Sequence, residues 1–223
     1  MRFPLLVFDW DGTLMDSEAR IVGCLQAAAL DAGLPALDEA RARNIIGLGL
    51  REAFYALFPD VRDDQHERLA AAYRHHFLGN SEITSELFPG VAETLTALRD
   101  QGYLLAVATG KGRQGLNHVL EQTGCTSLFH TSRCADETIS KPHPQMLLEI
   151  MEELEVEPGR TLMVGDTEYD MQMAKQAGAA ALAVSYGVHS RERLLGHGPL
   201  GCLDRISDLP VWLVERQMSD FST

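Results

Sequence analysis

The sequence predicts an α/β fold: a parallel sheet core wrapped by helices, with a small all-helical segment inserted after the first strand. Three observations carry this. The apolar run Pro4-Leu5-Leu6-Val7-Phe8 stops at Asp9, residues 17 to about 86 show only helical periodicity, and from Pro89 onward helix-spaced stretches alternate with short apolar runs. Such alternation is the pattern of strands paired in parallel through helical crossovers.

The elements follow in order. The run 4 to 8 is continuously apolar, as expected of a strand covered on both faces. Ile21, Leu25, Ala28 and Ala32 then make a stripe at helical spacing, ended by Gly33 and Pro35. Helices are expected at 38 to 46, 49 to 58 and 62 to 79, separated by Gly47-Leu48-Gly49 and Phe58-Pro59-Asp60. Beyond Pro89 come helix 90 to 101, strand 103 to 108, helix 112 to 123, a weak strand 128 to 131 and helix 143 to 154. Strand 161 to 164, helix 168 to 177 and strand 180 to 184 complete the alternation, and the tail from 190 carries shorter helices, one over 208 to 216. The simplest assembly is a Rossmann-like core of residues 1–14 and 87–223, with residues 15–86 as a helical cap domain. In open parallel sheets ligands sit beyond the carboxyl ends of the strands, where this insertion leaves and re-enters the core. A mobile cap over a site follows.

Charge narrows the partners. With 19 basic against 32 acidic residues, the chain carries a formal charge of −13, which argues against a nucleic-acid or anionic-membrane surface. An anionic substrate would need local positive charge. No apolar run reaches membrane-spanning length, so a cytoplasmic protein is expected. Cys24, Cys125, Cys134 and Cys202 are widely spaced, without a Cys-x-x-Cys pair, and are expected as reduced thiols.

The strand ends carry the chemistry. In Asp9-Trp10-Asp11-Gly12-Thr13-Leu14, the two aspartates lie at i and i+2 and so face one crevice, while Trp10 turns away. An Asp-Gly turn would explain the same residues locally. Strand 103 to 108 runs into Thr109-Gly110-Lys111, a hydroxyl followed by backbone N–H groups at a helix start, which suits an anion; a helix cap is the ordinary alternative. Strand 161 to 164 empties into Gly165-Asp166-Thr167-Glu168-Tyr169-Asp170, and the four-residue spacing of Asp166 and Asp170 brings both near the strand end, where oxygen ligands hold divalent ions. Lys141, in Ser140-Lys141-Pro142 ahead of a helix, is placed to neutralise charge, although an isolated lysine is ordinarily a surface residue.

In this order the pieces resemble the haloacid dehalogenase-like superfamily of phosphotransferases, in its phosphoglycolate phosphatase-like branch with a helical cap. The resemblance spans nearly the whole chain and rests on Asp9-Trp10-Asp11-Gly12-Thr13, Thr109, Lys141-Pro142 and Gly165-Asp166-Thr167 with Asp170. It implies Asp9 as nucleophile, Asp11 as general acid and base, and Thr109, Gly110 and Lys141 as phosphate holders. It further implies Mg2+ bound by Asp9, Asp166 and the backbone carbonyl of Asp11, with Asp170 supporting metal or lysine. Members that remove halogen lack the second aspartate of the first motif, so Asp11 points to phosphoryl transfer. The expected partner is a small phosphorylated metabolite, with phosphoglycolate suggested by the branch, and the expected assembly is a monomer or homodimer. A phosphomutase of the same superfamily and a catalytically silent binding protein are the competing readings.

In the cap, Gly47-Leu48-Gly49-Leu50-Arg51 offers Arg51 as a substrate-binding candidate, against the plain alternative of a turn with a solvated arginine. Lys111 and Arg113 are unranked candidates of the same kind. The eight histidines, including His75-His76, and the pair Met171 and Met173 are expected to be solvated or packing residues.

Overall fold

The computed structural model describes residues 1–79 and 84–219. Its centre is β1 (Leu5–Phe8), every residue of which is buried. It pairs in parallel with β4 (Leu104–Thr109) on one side and β6 (Thr161–Gly165) on the other. Beyond β4 lies β5 (Thr131–Cys134), and beyond β6 lie β7 (Ala180–Val184) and β8 (Cys202–Leu203), so the six-stranded order is β5-β4-β1-β6-β7-β8. All five pairings are parallel. The chain fills one half of the sheet outward from β1 and then crosses back to the other half, which makes β1 the point where strand order reverses.

The alternating side chains of these strands feed two cores. Leu6, Phe8, Leu105 and Val107 face a layer built from α5 (Val91–Asp100), α6 (Arg113–Thr123) and α10 (Leu209–Ser219). Leu5, Val7, Ala106 and Ala108 face α7 (Gln145–Glu153) and α8 (Glu168–Ala177), where Met146, Leu147, Ile150, Met173 and Ala174 are buried. With both faces covered, β1 has no polar side to show, which is why its sequence is apolar throughout. Trp10 is fully buried in the first of these cores, edge-on to Phe129. Met171 and Met173 are packing residues, as expected, and a short α9 (Arg191–Leu195) lies in the tail.

Between β1 and α5 stand α1 (Glu18–Asp31), α2 (Glu39–Asn44), α3 (Leu50–Leu57) and α4 (Asp63–Leu78). They bury a core of their own, with Leu25, Ala28, Phe54, Leu69 and Phe77 at its centre. The entry to these helices and the exit from them pair antiparallel as β2 (Met15–Asp16) and β3 (Glu86–Leu87), Met15 opposite Leu87. No helix among the described residues is long and apolar enough to cross a membrane. The four cysteines are free thiols.

One expected element moves. The weak strand placed at 128 to 131 is instead β5, at 131 to 134, preceded by a 3-10 turn over Thr126–Leu128. Leu128 and Phe129, the apolar pair that suggested the strand, pack against the core from that turn. The strand itself is Thr-Ser-Arg-Cys, tolerated because it lies at the sheet edge, where Thr131, Ser132 and Arg133 are partly exposed and only Cys134 is buried.

Candidate active site

The register places the ends of three strands side by side. Phe8, the last residue of β1, pairs with Val107 and with Val164, so Asp9 leaves the sheet between the ends of β4 and β6. Its backbone N–H still donates to the Val164 carbonyl at 3.0 Å, which fixes the chain as it emerges.

Asp9, Asp166 and Asp170 converge there, each with a carboxylate oxygen within 4.8 Å of the others, and all three are buried. Lys141 reaches them from the loop before α7, its ammonium 2.7 Å from Asp9 Oδ1 and 2.7 Å from Asp170 Oδ1, with no exposed surface. Three carboxylates face one ammonium. Burial pushes the Asp9 carboxyl well above its ordinary value; Lys141 opposes this, and Asp170 and Asp166 add to it. Burial and the nearby Asp170 likewise raise Asp166 to about 7, against hydrogen bonds from the Val188 N–H and Thr13. For Lys141 burial acts downward, but Asp170 and Asp9 outweigh it and hold the ammonium at about 12.

Local structure aims each group. Thr13 donates to Asp166 Oδ1 at 2.8 Å and the Val188 N–H to Asp166 Oδ2 at 2.8 Å. Gly12 has φ +80°, and a Cβ there would stand 2.2 Å from Asp166 Oδ2, so the glycine of the first motif makes room for the aspartate of the last. Asp170 joins Thr167 in a capping box at the start of α8: it accepts from the Thr167 N–H at 3.0 Å through Oδ2, leaving Oδ1 for Lys141.

A divalent cation fits this donor set. The three carboxylates exceed the one ammonium by two charges if ionised, and Asp9 Oδ2 is buried with no hydrogen-bond partner among the described residues. Hard oxygen ligands of this kind suit Mg2+ or Ca2+ rather than zinc.

The Asp11 carboxylate lies outside that cluster. It accepts from Ser17 at 2.5 Å and pairs with Lys111 at 2.9 Å, both through Oδ1. Lys111 is itself buried, and its ammonium sits 4.2 Å from the centre of the Phe77 ring on α4. The two aspartates of the first motif therefore face different neighbours.

Thr109 is fully buried, and its hydroxyl accepts from the Lys111 N–H at 3.1 Å. Gly110 faces the helical insertion: a Cβ there would meet the Leu48 carbonyl at 2.4 Å. The Gly47-Leu48-Gly49 turn docks at this point, with the Gly49 N–H donating to Ser140 Oγ at 2.9 Å, while Tyr169 donates to the Asn44 carbonyl at 2.8 Å. Between the insertion and the strand ends lies a cavity of about 900 Å³, whose walls include Asp9, Asp11, Gly110 and Lys111. Ile21, Leu48, Tyr73 and Phe77 add apolar surface from the insertion. Arg51 lines it too, its guanidinium 5.8 Å from the Tyr55 ring. Arg113 turns away to Glu137 and Ser132.

Thr13, Ser17 and Val188 were not singled out from the sequence. Thr13 stands inside the first motif, but its partner is 153 residues away, and Ser17 has the appearance of a helix cap while its hydroxyl goes to Asp11.

The family model for haloacid dehalogenase-like hydrolases matches residues 6–184. The chain belongs to this family. Among curated relatives, it is 38% identical over 212 residues to "Probable phosphatase IndB" of Dickeya dadantii, covering 92% of this chain and 91% of that one. It is 31% identical over 221 residues to the phosphoglycolate phosphatase of Mesorhizobium japonicum, with 97% of each covered. A crystal structure from Bacteroides fragilis, of a haloacid dehalogenase-like hydrolase, superposes with a TM-score of 0.86 at 25% identity, covering 93% of this chain and 99% of its own. The chain is thus a haloacid dehalogenase-like phosphatase of the phosphoglycolate phosphatase-like branch.

Proposed function

We propose that the protein is a magnesium-dependent phosphatase that hydrolyses a small phosphomonoester through an aspartyl phosphate on Asp9. The observation that carries this is the buried set Asp9, Asp166 and Asp170 around Lys141, beside a second aspartate held apart by Ser17 and Lys111. Phosphoglycolate enters as the substrate to test first, from the relative that bears its name.

A phosphate monoester brings about two negative charges, and each unit pair at 4 Å costs about 4 kcal/mol at an effective dielectric of about 20. Asp9 cannot meet such a group without compensation. Mg2+, held by Asp9 and Asp166 with Asp170 beside them, would supply it and would stabilise charge on the transferring phosphoryl oxygens. Lys141 keeps Asp9 aligned through Oδ1, and Asp9 attacks phosphorus through its carboxylate. Asp11, oriented through its other oxygen, protonates the departing alkoxide and afterwards takes the proton of the water that splits the acyl phosphate. In this account the N–H groups at the Thr109-Gly110 loop receive phosphate oxygens.

Residues 15–86 act in this account as the cap domain on the core formed by residues 1–14 and 87–223. Docking of the Gly47–Gly49 turn closes the cavity and limits water during the first transfer. Arg51 on its wall is a substrate contact in the same account. The substrate is a small soluble metabolite met in the cytoplasm.

The test is a panel of phosphate esters assayed with Mg2+, using Asp9→Asn as control. Hydrolysis that falls below about one per cent in Asp9→Asn and stops on chelation supports the reading, since losing a nucleophile costs orders of magnitude. Full activity in that variant would sink it.

A further inference from the structure

We propose that His189 is a positioning residue that couples docking of the cap to the metal site, because it stands between Asp166 on the core and Asn44 on the insertion. The inference rests on the reading of this protein as a Mg2+-dependent phosphatase with a cap, and adds how the two parts communicate.

The segment after β7 is built around Asp166. The Val188 N–H donates to Asp166 Oδ2 at 2.8 Å and the His189 N–H to the Asp166 carbonyl at 3.3 Å, so two adjacent residues fix the side chain and the backbone of one metal ligand. A Cβ on Gly187 would collide with Asp166 Oδ2 and with the Gly12 carbonyl, so the chain is pressed closely against the site. The same segment meets the insertion, because the Val188 side chain packs against its apolar core. Asp166 and the insertion therefore share a support.

His189 extends this link. Its ring is buried, and Nδ1 accepts from the Glu168 N–H at 3.1 Å, at the start of α8. A neutral imidazole then carries its proton on Nε2. Burial first and Arg193 next hold the ring below its ordinary value, with the Asn44 backbone acting the other way. Nε2 has no hydrogen-bond partner among the described residues, and Asn44 is the insertion residue beside the ring. The Asn44 carbonyl accepts from Tyr169 at 2.8 Å, the Tyr169 ring meets the His189 ring edge-on at 5.5 Å, and Asn44 Oδ1 accepts from Arg193 at 2.7 Å. A buried donor without an acceptor is costly, and the Asn44 carbonyl is the group that a closer docking would bring to it. Docked and undocked positions of the insertion thus differ in what holds His189, and through its backbone in what holds Asp166. A cation that favours the ordered Asp166 favours docking, and by linkage docking raises the affinity for the cation by the same factor.

The Gly49 N–H, bonded across the seam to Ser140 Oγ, reports docking through its hydrogen exchange. In the wild type, saturating Mg2+ without substrate should slow that exchange by at least about fivefold relative to amides of α1, the low end of measured couplings. Titration calorimetry gives the Mg2+ dissociation constant of the same protein. His189→Phe fills the ring's space without its nitrogens, and should raise that constant by at least about fivefold while abolishing the effect of Mg2+ on Gly49. His189→Asn keeps an oxygen for the Glu168 N–H but is too short to reach Asn44, so it should match His189→Phe, and it carries the test alone if thermal melts show that His189→Phe does not fold. A smaller change in wild-type exchange or in either variant's affinity, or an affinity loss that leaves the Gly49 effect intact, would overturn the inference; the phosphatase reading would stand as long as esters are hydrolysed with Mg2+. A wild type that binds no Mg2+ sinks both, and one that binds Mg2+ with the coupling intact but hydrolyses no ester sinks only the phosphatase reading.

Discussion

Replacing Lys141 by methionine isolates the electrostatic problem at the centre of this molecule. The side chains are similar in length, so the change removes charge with little change in packing. Lys141 is fully buried between Asp9 and Asp170 at 2.7 Å each, and at an effective dielectric of about 20 each contact has a gross attraction of about 6 kcal/mol. Most of that offsets the desolvation of the three groups, and removing one partner of a buried ion pair costs about 3 to 5 kcal/mol net. For a chain of this size that is a fall in Tm of roughly 6 to 20 °C. The loss should depend on pH. Without Lys141 the Asp9 and Asp166 carboxylates, already raised by burial, can relieve their repulsion by binding protons, so the deficit should be larger at about pH 8 than at about pH 5.5. Urea unfolding in the presence of chelator, at both pH values, measures it. A second replacement, Asp170→Asn, should be markedly less damaging in the Lys141→Met background than alone, with a coupling of at least about 1 kcal/mol. A Lys141→Met deficit under about 1 kcal/mol at pH 8, or one that is equal at both pH values, would refute the reasoning.

Two further outcomes follow from the same cluster. Gly12→Ala places a methyl 2.2 Å from Asp166 Oδ2 at a left-handed backbone position, and should cost about 1 to 3 kcal/mol of stability and weaken Mg2+ binding, read by thermal melts and titration calorimetry. Asp166 is raised to about 7 in the folded protein from 3.8, so the native state holds a proton that the unfolded chain has lost. Stability of the metal-free protein should therefore fall as pH rises through that window, by at most about 1.4 kcal/mol per pH unit for one group, and Mg2+ should flatten the slope in urea titrations.

What the sequence made legible was local. Continuous apolar runs located β1, β4, β6 and β7 within a residue or so, because strands covered on both faces leave no room for polar side chains. Asp9, Asp11 and Asp166 stood out because charge at the end of a buried strand is expensive without a purpose, Asp170 by its spacing from Asp166, and Lys141 by the proline that follows it ahead of a helix. Edge structure was less visible: β5 is polar and β2, β3 and β8 have two residues each, too short to print a period. Least visible were the contacts that aim the site. Thr13 with Asp166, Ser17 with Asp11, and Gly110 against Leu48 depend on chain segments brought together by the fold, and no spacing rule reports them. Lys111 follows Thr109 by two residues and was visible as a candidate, yet its importance comes from Asp11 and Phe77, which reach it from β1 and α4.

The central claim, that Asp9 itself attacks phosphorus, is tested most directly by trapping the enzyme during turnover. Acid quench in the first moments after mixing with Mg2+ and substrate, followed by peptide mass spectrometry, should find a phosphoryl group on the peptide containing Asp9 and none on the same peptide from Asp9→Asn. A wild-type enzyme that releases phosphate at full rate while no labelled Asp9 peptide accumulates, even with the second step slowed in Asp11→Asn, would contradict the account.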